Sequence, residues 1–149
     1  LRAKAGPIEQ SEQLALLRRL RFFHDFSQAE IGEVLKASAW QDYGPNEEII
    51  REGDMDDRFY VVVAGDCNVL RHGRTVGHLG TGDCFGEASY VPGARRSASV
   101  RTGGSVTLLK GGATLLEQSS AACQLRFNRM FLRSLIERLQ KNEQAAAGV

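Results

Sequence analysis

The sequence lacks the features that mark several special classes of protein. No apolar run approaches the roughly twenty residues needed to span a membrane, and no signal-peptide pattern is present. There are three cysteines, an odd number, with no C-x-x-C spacing, so neither a disulfide framework nor a zinc knuckle is indicated. Nineteen basic and eighteen acidic residues give a net charge of +1, which provides no overall field for a polyanion. We therefore expect a cytoplasmic protein with no direct nucleic-acid or membrane partner. The chain starts at Leu1 rather than methionine, which suggests a fragment of a longer protein.

Glycine is absent from residues 113–147 and occurs once in residues 7–43, yet thirteen of the sixteen glycines lie between Gly44 and Gly112. Because glycine favours turns and weakens helices, this distribution predicts helices at both ends of one domain, residues 1–149. Apolar periodicity supports helices at about residues 9–37 and about residues 112–145. The middle, about residues 39–110, contains seven short β-branched and aromatic runs separated by turn residues. This pattern favours a mainly β fold, either an antiparallel sandwich or a jelly-roll barrel.

Two short stretches carry the chemistry. The first is Phe85-Gly86-Glu87-Ala88-Ser89, and the second is Arg95-Arg96-Ser97-Ala98. Glycine allows close backbone approach, and one helical turn after it would present N–H groups that favour an anion. An arginine fork suits two oxygens of one phosphate. A carboxylate at Glu87 would repel a phosphate unless it accepts hydrogen bonds from another part of the ligand, such as a ribose hydroxyl. A ligand with one phosphate charge close to a ribose hydroxyl is a cyclic nucleotide.

These stretches resemble the cyclic-nucleotide-binding domain of the catabolite activator and protein kinase A regulatory subunit superfamily. Residues 49–54 and 59–65 are similar to the strand-glycine-strand-glycine signature of the family, and residues 85–100 to its phosphate-binding cassette. The resemblance implies an eight-stranded antiparallel jelly-roll barrel with N-terminal helices and a C-terminal helical lid. Two positions depart from the family pattern. Asp56 replaces a small residue and is expected to alter only a turn, and Tyr90 replaces an aliphatic residue.

The resemblance also implies the roles of the site residues. Glu87 matches the glutamate that binds the ribose 2′-hydroxyl, and Arg96 matches the arginine that binds the cyclic phosphate. The other implied ligand-binding residues are Gly86, Ala88 and Ser89 of the cassette helix, with Ser97 and Ala98 after the arginine. The contact that caps the base is expected from the C-terminal helix, near residues 124–131.

The function implied is a sensor of cyclic nucleotide, with cAMP preferred over cGMP, that signals through the C-terminal helix to a fused or separate effector such as a kinase. Two alternatives stay open: a catabolite-activator-type transcription regulator without its helix-turn-helix, and a degenerate domain without ligand. Leu125, Leu132 and Leu139 are spaced seven apart, which suits either packing on the chain's own β-domain or a homodimer through this helix.

No enzymatic activity is predicted, because the sequence contains no nucleophile–base pattern, metal-ligand spacing or Walker-type loop. No catalytic residue, metal or cofactor is expected, and the ligand is cAMP or cGMP. His24, His72 and His78 lack a His-x-His pair and are interpreted as solvated side chains.

Overall fold

The computed structural model describes residues 9–86, 93–112 and 117–144 of the chain. Two helices, α1 (Gln10–Arg19) and α2 (Gln28–Lys36), are joined through a 3₁₀ turn at Arg21–Phe23. The strands that follow are β1 (Ala39–Tyr43), β2 (Glu48–Ile50), β3 (Arg58–Ala64), β4 (Cys67–Arg71), β5 (Arg74–Leu79), β6 (Cys84–Phe85), β7 (Ser99–Thr102) and β8 (Val106–Gly112). The C-terminal helix is α3 (Ala121–Gln144).

The strands form two antiparallel four-stranded sheets. The first has the order β1-β8-β3-β6 and the second the order β2-β7-β4-β5. Within the described ranges, every strand pairing lies inside one of these sheets. The predicted mainly β fold with eight antiparallel strands and flanking helices is therefore confirmed. The arrangement is a sandwich of two sheets, and the pairing seen among residues 9–86, 93–112 and 117–144 does not show the closed barrel that the resemblance implied.

Strand β3 lies inside the first sheet and is buried on both faces, which explains its amino-acid sequence. Phe59, Val61 and Val63 of β3 face the helices, whereas Tyr60 and Val62 face the second sheet. All five side chains are buried. A strand covered on both faces needs a continuous apolar run rather than alternation, and residues 59–63 provide it.

A cluster of aromatic side chains packs α3 against the outer face of the first sheet. The ring of Phe127 lies 4.6 Å from that of Phe59 on β3 and 5.1 Å from that of Phe22 in the 3₁₀ turn, measured between centroids. Phe131, one turn later, lies 6.4 Å from Phe59. Burial of such rings contributes both apolar area and favourable edge-to-face geometry. The cluster therefore fixes the middle of α3 relative to β3.

The start of α3 is held by α2. A capping box begins α2: the Ser27 hydroxyl accepts from the Glu30 N–H at 3.1 Å, and the Glu30 carboxylate accepts from the Ser27 N–H at 2.8 Å. Ser120 precedes α3, and both its N–H (2.6 Å) and its hydroxyl (2.9 Å) donate to the Glu33 carboxylate. Arg126 lies 3.1 Å from Glu30. Two glutamates one turn apart on α2 therefore contact the first turns of α3.

The opposite face of α3 is uncovered. Four large apolar side chains lie there at helical spacing, each between 46% and 59% exposed: Leu125, Leu132, Ile136 and Leu139. None of the described helices has both the length and the apolar character required to cross a bilayer.

Candidate functional site

The two chemistry-bearing regions of the sequence meet through their backbones. The N–H of Gly53 donates to the carbonyl of Arg96, and the N–H of Arg96 donates to the carbonyl of Asp54, both at 2.8 Å. This reciprocal pair fixes the backbone of Arg96 against the turn that follows β2. The glycine-containing signature and the arginine of the cassette are therefore parts of one local structure, although they lie more than 40 residues apart in sequence.

The Arg96 side chain is buried, with 4% of the residue exposed. Its Nη2 donates to Oδ1 of Asp56 and, at 2.6 Å, to the carbonyl of Arg58, while its Nε donates to Oδ2 of Asp56 at 3.3 Å. A buried guanidinium needs such partners because removing its charge from water is costly. Asp56 was expected to alter only a turn. That expectation is wrong, because its carboxylate is the ionic partner of Arg96.

The charge of Asp56 is maintained by these contacts. Partial burial works to raise the pKa of its carboxyl. Two hydrogen bonds lower it: one from Arg96 and one from the Arg58 N–H at 2.9 Å. The positive charges of both arginines act in the same direction. Together these effects outweigh the effect of burial, so the pKa lies below its ordinary value. Asp56 is therefore ionised at neutral pH and orients the guanidinium.

Gly86 ends β6 at a point where its backbone passes very close to β3. Its φ is +99°, and a Cβ atom there would lie 2.5 Å from the carbonyl oxygen of Arg58 and 2.8 Å from Cα of Phe59. Both are backbone atoms that cannot move aside. The glycine was predicted for close approach to a ligand, whereas in the structure the close approach is to β3. Gly86 therefore brings the start of the cassette beside the carbonyl that Arg96 also contacts.

A pocket opens beside Arg96. Half of its lining residues come from the cassette region and from α3: Gly86, Arg96, Ser97, Ala98 and Arg138. Ser97 is held in place because its carbonyl accepts from Nε of Arg71 at 3.2 Å.

The rest of the pocket wall is apolar and comes from the inner face of the second sheet and from β6: Ile50, Val69, Leu79, Phe85 and Val100. The ring of Phe85 stacks on that of Tyr60, with 4.8 Å between centroids, and burial raises the pKa of Tyr60 to about 12. A mostly apolar lining with a few polar or charged groups is typical of pockets that bind small molecules.

Four of the predicted ligand-binding residues are brought together at this pocket: Gly86, Arg96, Ser97 and Ala98. The other three, Glu87, Ala88 and Ser89, lie outside the described residues, as does Tyr90. Their roles stay predictions.

Sequence reasoning did not place Arg138 at the site. This residue of α3 lines the pocket, and its Nη2 donates to the carbonyl of Cys84, two residues before Gly86. The predicted contact region lay earlier on the helix, but Phe127 and Phe131 are buried in the aromatic cluster. The local sequence held no signal for Arg138, because five basic residues are spread along the predicted tail helix.

The described side chains offer no group of three or more histidine, cysteine or acidic residues that could hold a metal ion. All three cysteines are buried, and burial raises the pKa of Cys67 and of Cys123 to about 11. These two thiols are therefore protonated at neutral pH and are poor nucleophiles. The described part of the site offers a guanidinium suited to an anion beside an apolar wall suited to a flat ring.

Comparison with known proteins identifies the ligand class of related chains. The model of the cyclic nucleotide-binding domain matches residues 40–119, more than half of the chain. A cGMP-dependent protein kinase of Eimeria tenella is 31% identical over 93 residues, covering 62% of this chain and 9% of the kinase. The corresponding kinase of Toxoplasma gondii is 26% identical over 133 residues, covering 89% of this chain and 13% of the kinase. The chain thus spans only a small part of the length of these relatives.

A solved cyclic nucleotide-binding domain from Methylobacillus flagellatus has the same fold. It superposes with a TM-score of 0.78 at 22% identity, covering 91% of this chain and 80% of that one.

Replacement of Asp56 by asparagine should destabilise the domain at neutral pH by about 1–3 kcal/mol, because the buried Arg96 would lose its ionic partner. A carboxyl with a lowered pKa stabilises the fold above its unfolded pKa, roughly 3.9, and this contribution disappears as the pH falls through the folded pKa. The difference between wild type and Asp56→Asn in urea unfolding should therefore shrink in acid. Asp57→Asn, at the exposed neighbouring position, is the control. Equal stability of the wild type and Asp56→Asn at pH 7 would contradict the assignment.

Gly86→Ala should cost about 1–3 kcal/mol more stability than Gly82→Ala, because the added methyl group must displace the backbone of β3. Gly82 is the matched control: its φ is +92°, but a Cβ atom there meets nothing within 4 Å. Both variants therefore carry the strain of a positive φ, and only the first carries the clash. Thermal or chemical unfolding of the two variants measures the difference, and equal losses would show that the contact with β3 is unimportant.

Proposed function

The chain belongs to the cyclic nucleotide-binding domain family, and we propose that it is a sensor module that binds a cyclic purine nucleotide beside Arg96 and transmits binding through α3. The observation that supports this most strongly is the buried guanidinium of Arg96 in the wall of a cleft that is otherwise largely apolar. Such a cleft suits a ligand with a single negative charge, a sugar and a flat base.

The geometry of Arg96 suggests how it would hold the cyclic phosphate. Its contacts with Asp56 and Arg58 use Nε and Nη2. Nη1 takes part in none of them, and we propose that it donates to a phosphate oxygen. A guanidinium anchored along one edge loses little conformational freedom when an anion binds to its other end, so the site is preorganised.

The remaining contacts of the ligand are assigned by the family pattern. Glu87 would accept from the ribose 2′-hydroxyl, and the backbone N–H groups of Ala88 and Ser89 would donate to the sugar phosphate. Ser97 and Ala98 lie at the pocket beside Arg96, where a hydroxyl and a small side chain leave room for the ligand.

We propose that the domain binds nucleotide without converting it, and that the effector is a kinase fused to it or acting as a separate partner. The similarity to part of two cGMP-dependent protein kinases supports this effector over a helix-turn-helix regulator or a degenerate domain. The sequence of the full-length protein tests it directly, since a catalytic domain elsewhere in the chain would support a fused sensor. Three expectations from the sequence stay predictions: that residues 1–149 form one domain, that the protein is cytoplasmic, and that it makes no direct contact with nucleic acid or membrane.

The exposed face of α3 supports a homodimer. Leu125, Leu132 and Leu139 recur every seven residues, and Ile136 lies beside them on the same exposed face. A heptad spacing of this kind places apolar side chains along one seam, which a second copy of the helix could cover. We propose that two chains associate along this seam.

Arg96→Ala should weaken the binding of cyclic nucleotide by about 2 kcal/mol or more, since a charge-assisted contact to the phosphate would be lost. Isothermal titration calorimetry with cAMP and cGMP measures the loss, and circular dichroism checks that the variant folds. The matched control is Arg95→Ala, which removes an exposed arginine whose Nη1 donates to the Gly53 carbonyl at 2.9 Å. Failure of the wild-type protein to bind either nucleotide at millimolar concentration would overturn the proposed function.

Leu132→Asp should convert a dimer into a monomer, because the seam would have to bury two carboxylates. Analytical ultracentrifugation measures the molecular mass of the wild type and of the variant in solution. Met55→Asp is the control: Met55 is also exposed (57%) but lies in the loop between β2 and β3, away from the seam. A wild-type chain that is monomeric at millimolar concentration would rule the dimer out.

A further inference from the structure

We infer that Arg71, at the end of β4, is a positioning residue: by holding the Ser97 carbonyl, it fixes residues 96–98 in the conformation that binds nucleotide. This inference rests on the proposed function and adds to it a residue that belongs to neither the cassette nor the pocket wall. Its basis is a hydrogen bond of 3.2 Å from Nε of Arg71 to that carbonyl. Arg71 thus sets the affinity for the ligand without touching it.

The segment that follows Arg96 is attached at both ends to the turn after β2. Arg96 exchanges backbone hydrogen bonds with that turn, and the hydroxyl of Ser99 accepts from the N–H of Glu52 at 2.9 Å. Ser97 and Ala98 lie between these attachments and line the pocket. The conformation of the part that lines the pocket therefore depends on a third attachment, made within this interval.

The bond from Arg71 determines the plane of the peptide between Ser97 and Ala98. In a planar trans peptide the carbonyl and the N–H point in opposite directions. With the Ser97 carbonyl directed to Arg71, the N–H of Ala98 is directed away from it. Loss of the bond would free both groups to rotate, and the two residues that line the pocket would rotate with them.

Arg71 is itself held in place, because it ends β4 at a tight hairpin. It pairs with Arg74 of β5 across the turn His72-Gly73, in which both residues have a positive φ, +54° and +78°. Two-residue turns of this kind match the twist of the strands that they join. The N–H of His72 also donates to the Glu52 carboxylate at 3.0 Å, which connects the hairpin to the turn after β2. A donor on a supported element of this kind can fix its acceptor.

Preorganisation is the reason that this contact affects affinity. A segment that is flexible before binding must be ordered when the ligand binds, and the free energy of ordering weakens the complex. A charged donor forms a stronger hydrogen bond to a carbonyl than a neutral donor does, so Arg71 keeps the segment ordered in advance. Because Arg71 is only half-buried, we expect its replacement to leave the fold intact and to weaken binding.

An effect of charge alone is the alternative explanation. A guanidinium near the pocket raises the local positive potential and attracts a phosphate without any bond to Ser97. Lysine separates the two explanations, because it keeps the charge but has the methylene carbon Cε at the place where arginine has the Nε–H. Arg71→Lys therefore removes the bond from Nε to the Ser97 carbonyl and keeps the positive charge.

The experiment is calorimetric titration of the wild type, Arg71→Met and Arg71→Lys with cAMP and cGMP. We expect both variants to bind each nucleotide about fivefold more weakly than the wild type does. The amide resonance of Ala98 in the NMR spectrum of the free protein is an independent measure, since its nitrogen shares a peptide with the Ser97 carbonyl. This resonance should shift in both variants.

Arg74→Met is the matched control. Arg74 is the exposed cross-strand neighbour of Arg71 at the same hairpin, so its replacement removes an equal charge from nearly the same place. It should leave both the affinity and the Ala98 resonance unchanged. Circular dichroism confirms that each variant folds, and Arg71→Lys, which keeps most of the side chain, is the informative variant if Arg71→Met does not fold.

The outcomes distinguish this inference from the proposed function. Full affinity in Arg71→Lys, or an equal loss in Arg74→Met, would assign the effect to charge and overturn the positioning role, while the sensor would stand. A shifted Ala98 resonance with unchanged affinity would also overturn it, because the segment would then change without consequence for the ligand. A wild-type protein that binds neither nucleotide overturns both proposals.

Discussion

Burial of the Arg96 guanidinium constrains the arrangement of the whole site. A charge removed from water must be matched by partners that are equally well placed, and here they come from a different part of the chain. Asp56 supplies the carboxylate and Arg58 the carbonyl, while Gly53 and Asp54 hold the backbone of the arginine. Folding must therefore place three segments at the same time: the turn after β2, the start of β3 and the segment before β7. The local fold around the pocket therefore depends on the contacts of one arginine.

Most of the fold was predictable because it follows from local patterns. The helix cap at Ser27 depends on residues three apart, and the apolar run of β3 reflects burial on both faces of its sheet. The two-residue strand β6 (Cys84–Phe85) was missed, since it is too short for any periodicity. Closure of the sheets into a barrel was an expectation drawn from resemblance, and the strand pairing of the described residues shows two sheets.

The site was predictable only where its chemistry was contained in a short motif. Gly86, Arg96, Ser97 and Ala98 follow from such a motif, and the structure brings them to one pocket. The carboxylate that pairs with Arg96 lies forty residues earlier, and pairing over that separation depends on the register of strands that sequence spacing does not fix. Arg138 lies forty-two residues after Arg96 on a helix whose rotation about its axis is set by the packing of aromatic rings. Tertiary packing therefore determined the two residues that local reasoning missed.

Glu137 and Arg138 contact opposite parts of the molecule, the 3₁₀ turn and strand β6, although they are neighbours on α3. Consecutive residues of an α-helix lie about 100° apart around its axis and about 1.5 Å apart along it. A rotation of α3 that brought one of these side chains nearer to its partner would draw the other away, so the pair resists torsion of the helix. A tilt about the ring of Phe127 would also be opposed, because residues 137 and 138 lie about three turns beyond that ring and would move away from both partners. The two contacts therefore hold the C-terminal part of α3 against both kinds of movement.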